Sequence, residues 1–154
     1  MSGWLLEAGQ VGYQAALGFA ATLGFAIWFN VPRDLLLRVA CVGTIGFLVR
    51  FAARELGLTP AASSFWGAFA IGSVGYLFAH RGHLPRVIFT IPGIIPLVPG
   101  IPAYEALVAF LRGDTSRGIE NVVRATLVVG ALAGGLTAAR AVTLRRFDRD
   151  TRRS

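Results

Sequence analysis

Two long stretches without a charged residue constrain this chain more than any other feature of its sequence. Residues 8–32 and 56–79 comprise 25 and 24 residues, and neither stretch contains Asp, Glu, Lys or Arg. A helix needs about 20 apolar residues to cross the hydrocarbon core of a bilayer. Charged residues make up 15% of the 154 residues, against about 25% in soluble domains. We therefore predict an all-α integral membrane protein.

Five apolar segments, separated by short charged turns, predict about five transmembrane helices in one domain. Their expected bounds are 10–29, 35–53, 61–78, 85–111 and 121–144, followed by a basic tail over 145–154. Small residues at helical spacing predict three faces on which helix backbones approach closely. These faces are Ala16, Ala20 and Gly24 in the first segment, Ala68 and Gly72 in the third, and Gly130, Gly134 and Ala138 in the fifth.

The fourth segment contains the run IPGIIPLVPGIPAY over 91–104, with four prolines and two glycines. Each proline removes a helical amide and disfavours helix at the preceding residue. In lipid, a broken helix is tolerated only where protein or a water-filled cavity satisfies the freed backbone groups. We predict half-helices over 85–97 and 102–111 with a break at 98–101, where Gly100 supplies freedom in φ and room for close approach.

Discontinuous helices in the middle of the membrane build the substrate sites of many secondary transporters. Half-helix N-termini face carboxylates there, and unwound carbonyls hold cations. The break therefore predicts transport of a small anionic or zwitterionic solute. The alternative is a kinked packing helix, since proline is frequent in membrane helices.

Four motifs resemble the threonine/serine exporter family: FNVP after the first helix, GTIGFLVR in the second, GSVGY in the third and IPLVPGIPAY in the fourth. The likeness covers residues 15–144 and is closest to the C-terminal half of the family, which also occurs as a separate small subunit. The resemblance implies an exporter driven by the proton motive force, acting with a larger subunit that supplies the other half. Its implied substrates are threonine and serine or, in one branch, dicarboxylates such as succinate.

The resemblance also suggests which residues contact the substrate. The family motif falls on Asn30, Pro32, Pro96, Pro99, Gly100 and Tyr104, with Gly72, Ser73 and Gly75 expected to face them. These are our substrate-binding candidates. No cofactor is implied.

Three ionisable residues are further candidates. Glu105 lies early in the second half-helix, where it either stabilises the positive end of the helix or carries the coupled proton. Arg50 and Arg124 either bind a substrate carboxylate through the planar guanidinium or anchor their helices at the lipid headgroups.

The arginines also predict the orientation in a bacterial inner membrane. One side receives Arg33, Arg38, Arg81, Arg86 and the tail, and the other receives Arg50, Arg54, Arg112, Arg117 and the arginine-free N-terminus. The richer side should be cytoplasmic, which places the C-terminus inside and the N-terminus outside. If the fourth segment is re-entrant, only four helices cross and both ends share one side. The tail carries five of the fifteen arginines behind the net charge of +7, and we expect the lipid bilayer and no nucleic acid as its partner.

Other functions find little support in the sequence. It has no hydrolase, metalloprotease or phosphate-binding motif, so we expect no enzyme. Cys41 is the single cysteine, and His80 and His83 flank a glycine in a turn, so no metal site is expected. Two rivals to the half-transporter remain: a structural membrane subunit that transports nothing, and a self-sufficient transporter built from copies of this chain.

Overall fold

The computed structural model describes residues 3–151, including the side chains of residues 9–144. Throughout that range the regular structure is helical, which confirms the predicted all-α architecture. The helices are α1 (Gly3–Trp28), α2 (Arg33–Glu55), α3 (Pro60–Gly82), α4 (Val87–Ile94), α5 (Gly100–Leu111) and α6 (Thr115–Thr151), with one turn of 3-10 helix (Ile95–Leu97) between α4 and α5. The predicted basic tail falls on the last part of α6 and on residues 152–154, which lie outside the described residues.

Four helices are long and apolar enough to cross a membrane. They span Gly9–Trp28, Arg33–Glu55, Pro60–Gly82 and Thr115–Leu144. The segments Val87–Leu97 and Gly100–Leu111 satisfy the same criteria only as a pair, and they are bent by 46°. The integral membrane class and the broken fourth segment are therefore both confirmed, with four crossings, or five if the bent pair counts as one.

Residues with positive φ end four of the helices. At the end of α1, Asn30 has a φ of 53°. Its N–H donates to the Ile27 carbonyl at 3.0 Å, and the Val31 N–H donates to the Ala26 carbonyl at 3.0 Å. This pair of bonds is the Schellman cap, which asparagine tolerates better than most residues. Gly57, His83 and Gly113 end α2, α3 and α5 in the same way. The tight caps make α1, α2 and α3 run antiparallel in turn.

The core lies where α1, α2, α3, α4 and α6 meet. Its fully buried members include Val39 and Val42 of α2, Ile71 of α3, Phe89 of α4 and Leu97 of the 3-10 turn. Helix α6 joins the core through a face that repeats every three or four residues, comprising Val128, Leu132, Gly135 and Ala139. Helix α4 packs among α1, α2 and α3, whereas α5 packs mainly against α6.

Glycines allow the backbones of α2, α3 and α6 to approach closely. A Cβ on Gly67 of α3 would lie 2.9 Å from the carbonyl oxygen of Gly46 in α2. A Cβ on Gly72 would lie 2.7 Å from the Cβ of Ala139 in α6. Close approach of this kind provides van der Waals contact where lipid offers no hydrophobic drive for association. The face predicted from Ala68 and Gly72 is therefore a packing face.

The face predicted on α1 is wrong within this chain, and the face predicted on α6 is correct only in part, because Gly134 contacts Phe65 whereas Gly130 does not pack. Ala16, Ala20 and Gly24 of α1 are exposed, and the buried face of that helix is instead Gly18, Thr22 and Ala26. In α6, Gly130 has open space around it, and Gly135 makes the closest approach, against the backbone of Phe65. Small residues suit a lipid-facing surface as well as a packed one, so their spacing alone does not identify the buried face.

Candidate functional site

The chain leaves the helical conformation at Val98 and resumes it at Gly100. Val98 is extended, with φ −61° and ψ 135°, and Pro99 has φ −78° and ψ 67°. These Pro99 angles define an inverse γ-turn, closed by a hydrogen bond of 2.8 Å from the Gly100 N–H to the Val98 carbonyl. The break is thus shorter than predicted, because α5 begins at Gly100 and includes Pro102.

Gly100 does not use the freedom in φ that the sequence predicted. Its φ lies outside the left-handed region, and a Cβ there would meet no atom within 4 Å. The bend therefore arises from Pro99 and the missing amides of its neighbouring prolines. What glycine provides at position 100 is open space beside the backbone.

Arg50 of α2 reaches the break from 47 residues away in the sequence. Its Nη1 donates a hydrogen bond of 2.8 Å to the carbonyl of Leu97. In a continuous helix that carbonyl would accept from residue 101, so the guanidinium supplies a donor where the helix is interrupted. A hydrogen bond from a charged donor is roughly twice as strong as a neutral one. Arg50 therefore satisfies a buried backbone group that the break exposes.

A cavity of about 460 Å³ opens beside the break, and we call it the break cavity. Its walls include Pro96, Pro99 and Gly100 of the broken segment, together with Phe47, Phe51 and Val128. The polar side chains that line it are Gln14, Arg50, Arg54 and Arg124, with no carboxylate among the lining residues. Because Arg54 and Pro60 border the α2–α3 turn, the cavity opens at that end of the bundle.

A second cavity, of about 410 Å³, lies between α5 and α6, and we call it the hairpin cavity. It carries both signs of charge: Glu105, Asp114 and Glu120, and Arg112, Arg117 and Arg124. Arg124 lines both cavities, and its Nη2 lies 2.6 Å from Oε1 of Glu120, four residues earlier on α6. The two cavities therefore share one cationic side chain.

The structure brings some of the predicted site residues together and separates others. Pro96, Pro99, Gly100, Arg50 and Arg124 line the break cavity, and Tyr104 and Glu105 line the hairpin cavity. Gly72 packs against α6 and borders a cleft at the other end of the bundle. Asn30 ends α1 and Pro32 precedes α2, so both belong to the α1–α2 turn. Ser73 is half-buried on α3, outside the lining of these cavities.

Sequence reasoning missed two polar residues of the break cavity. Arg54 lies one helical turn after Arg50, which was a usable signal, because residues four apart share a helix face. Gln14 lies in the charge-free first segment and carried no comparable signal. It reaches the cavity because α1 packs beside the 3-10 turn that precedes the break.

These features define a multi-pass helical membrane protein with a basic cavity at a broken helix. The sequence matches the family described as "Threonine/Serine exporter, ThrE" over residues 14–142. The chain therefore belongs to the threonine/serine exporter family. The resemblance found in the sequence motifs is confirmed.

A protein of Haemophilus influenzae described as uncharacterized is 28% identical to this chain over 128 residues. The match covers 77% of this chain and 43% of the relative, so the chain spans less than half the length of that relative. No solved structure gives a significant match.

Proposed function

We propose that this chain is one half of a secondary exporter that moves threonine, serine or a related small carboxylate out of a bacterial cell. The break cavity is the observation that carries this proposal. It joins two arginines without an ion-pair partner among the described side chains, Arg50 and Arg54, to the break in the fourth segment, where the backbone at Gly100 is open. Such a site favours the carboxylate group that all these solutes share.

Arg50 has a dual role in this proposal. One of its five N–H groups holds the Leu97 carbonyl, and the others are free to face a substrate carboxylate in a bidentate arrangement. Gln14 and the carbonyls of the broken segment supply acceptors for the ammonium group of an amino acid. The guanidinium would therefore join the substrate to the backbone of the break.

A dicarboxylate such as succinate is the second candidate substrate. The charge of the break cavity favours it, because Arg50 and Arg54 offer two positive charges, and Arg124 of the same lining is paired with Glu120. The second carboxylate of a dicarboxylate needs a second cationic partner such as Arg54, whereas the single carboxylate of threonine does not. Removing Arg54 should weaken dicarboxylate export far more than threonine export.

We further propose that a larger subunit of the same family completes the transport path. Two observations support this: the relative is more than twice as long as the matched region, and the outer face of α5 is exposed. That face includes Ile101, Tyr104, Leu107 and Leu111. We retain the orientation with the C-terminus inside and the N-terminus outside, and Glu105 in the hairpin cavity as the candidate carrier of the coupled proton.

The test is efflux of labelled threonine and labelled succinate from cells that express this chain alone or with its larger subunit. Each culture is measured with and without a protonophore. We expect export only from the pair and its loss with the protonophore. Export by the chain alone would show that its own copies form the complete path. No export of either solute by a correctly inserted pair would overturn the proposal.

The site is tested by the double substitution Pro99→Ala/Gly100→Ala, which restores one amide at the break and fills the open space at position 100. We expect insertion to remain intact and export to be lost. The matched control is Pro85→Ala/Gly130→Ala, which changes the same residue types away from the break, at a turn and at a position with open space. Normal export by the Pro99/Gly100 variant would remove the break from the transport site.

A further inference from the structure

A basic cleft of about 540 Å³ lies between α3, α4 and α6, at the opposite end of the bundle from the break cavity. Arg86 and Arg140 are its charged residues, and no carboxylate is among its lining residues. The two ion pairs among the described side chains, Arg117–Asp114 and Arg124–Glu120, are both at the other end. The two arginines of this cleft, which we call the α4 cleft, therefore have no ion-pair partner among residues 9–144.

The guanidinium of Arg86 is held in place by the aromatic ring of Tyr76. Its Cζ lies 3.9 Å from the centroid of the Tyr76 ring, and the Tyr76 side chain is buried in the bundle. Stacking of this kind fixes the plane of the guanidinium and leaves its edge available for an anion. Arg86 also precedes the first turn of α4, where the helix dipole favours an anion and disfavours a cation. An anion bound at this position would interact favourably with both the side chain and the dipole.

Beside the arginines, the α4 cleft is lined by apolar side chains and by Thr90 and Thr137, whose hydroxyls donate to the backbone carbonyls four residues earlier. Val87, Leu136 and Leu144 form its apolar wall, and Val87 and Leu144 are about half exposed, at 50% and 47%. A small soluble anion would satisfy the two arginines and leave this wall uncovered. An amphiphile would cover both, with its anionic group at the arginines and a hydrocarbon chain along the wall.

We propose that the α4 cleft binds the phosphate of an anionic phospholipid through Arg86 and Arg140. The guanidinium fork matches the geometry of phosphate oxygens, and two such groups suit a singly charged phosphodiester. Basic clefts between membrane helices are a recognised setting for headgroup binding. This proposal stands independently of the transported solute and of the larger subunit.

The test measures the melting temperature of the full chain in detergent with added dioleoylphosphatidylglycerol. Dioleoylphosphatidylcholine serves as the zwitterionic lipid control, and glycerol phosphate as the soluble headgroup. We expect phosphatidylglycerol to raise the melting temperature, and phosphatidylcholine and glycerol phosphate to leave it unchanged. In the double variant R86Q/R140Q the apparent affinity for phosphatidylglycerol should fall at least about tenfold, as expected for loss of charged phosphate contacts.

The matched control is R33Q/R81Q, which removes the same charge at the same end of the bundle but outside the α4 cleft. Its lipid response should equal that of the unmodified chain, and an equal loss in both variants would reduce the effect to overall charge. A full response to glycerol phosphate would show a soluble anion site and overturn the lipid assignment. If R86Q proves unstable because it loses the Tyr76 contact, R140Q alone decides, and an unchanged lipid response there overturns the proposal.

Discussion

The two halves of the broken segment are similar in composition but differ in how they are packed. Helix α4 lies in the core, with Phe89 fully buried and stacked on Phe78 at a ring-centroid distance of 6.0 Å. Helix α5 lies mainly against α6 and exposes Ile101 at 74% and Leu111 at 79%. The first half is therefore part of the scaffold, and the second half is attached to that scaffold through one neighbour.

This difference indicates where stability and function reside. Helix α4, on the scaffold side of the break, is fixed in position by contacts with α1, α2 and α3. The other side carries the open backbone of Gly100 and contributes to the lining of both cavities. Substitutions before the break should therefore change the free energy of unfolding, and substitutions after it should change transport more than stability.

The largest expected effect is the difference in lost stability between alanine variants of two phenylalanines, one on each side of the break. Phe89→Ala in α4 should lower the free energy of unfolding by about 3–5 kcal/mol, because it leaves a cavity in the core. Phe110→Ala in α5, where the side chain is 43% exposed, should cost only about 1 kcal/mol. Thermal and denaturant unfolding in detergent measures both. Equal losses would mean that α5 is as firmly packed as α4.

The second prediction concerns the junction of the two halves. Arg50→Gln should cost about 1–3 kcal/mol, since it weakens the contact with the Leu97 carbonyl and leaves a buried acceptor poorly satisfied. Arg54→Gln, one turn along the same helix face, should change stability by less than about 0.5 kcal/mol. Denaturant unfolding in the same detergent measures the loss of stability in both variants. A neutral Arg50→Gln variant would show that the carbonyl is satisfied without the guanidinium.

The third prediction compares two glycines. Gly46→Ala in α2 should cost about 1–2 kcal/mol, because its Cβ would press on Ile71 where the α2 and α3 backbones cross. Gly100→Ala should leave stability unchanged or raise it by up to about 1 kcal/mol, because the site is open and alanine favours helix. Reduced export by a fully stable Gly100→Ala protein would assign the glycine to substrate access. A destabilised one would contradict the open space seen at this position.

The smallest expected effect lies beside the hairpin cavity. Glu120→Gln removes the exposed ion pair with Arg124 and should cost about 0.2–0.5 kcal/mol at low salt. The cost should vanish at high ionic strength, because screening weakens exposed pairs. A salt titration of the melting temperature checks this. A larger loss that persists at high salt would show that the pair is buried. The α5–α6 region would then be packed as tightly as the region around α4.

The sequence predicted those parts of the fold that depend on local chemistry. The charge-free stretches predicted the spanning helices, and the four prolines located the break to within a few residues. The packing of α1 was not predictable in this way, because Ala16, Ala20 and Gly24 are as compatible with lipid as with protein. Its buried face includes Thr22, whose hydroxyl has no hydrogen-bond partner within the described part of the chain, and polarity alone would place such a side chain elsewhere.

The candidate site was predicted only in part, for a related reason. Pro96, Pro99 and Gly100 lie within five residues of one another and line the break cavity together, whereas Tyr104 lines the hairpin cavity. The FNVP motif predicts Asn30 as a site residue, whereas its backbone geometry gives it the separate role of ending α1. The contact between Arg50 and Leu97 joins residues 47 positions apart, and only the packing of α2 against the fourth segment establishes it.

The prolines of the break have a mechanical consequence. Pro96, Pro99 and Pro102 have no amide to donate, so α4 and α5 cannot merge into one straight rod under any load. What can vary is the angle at which α5 leaves Pro99. Helix α5 has 12 residues, and at 1.5 Å per residue it is a lever about 18 Å long. A rotation of about 10° at Pro99 would carry the Leu111 end by about 3 Å, roughly the width of a water molecule, without stretching a single helical hydrogen bond.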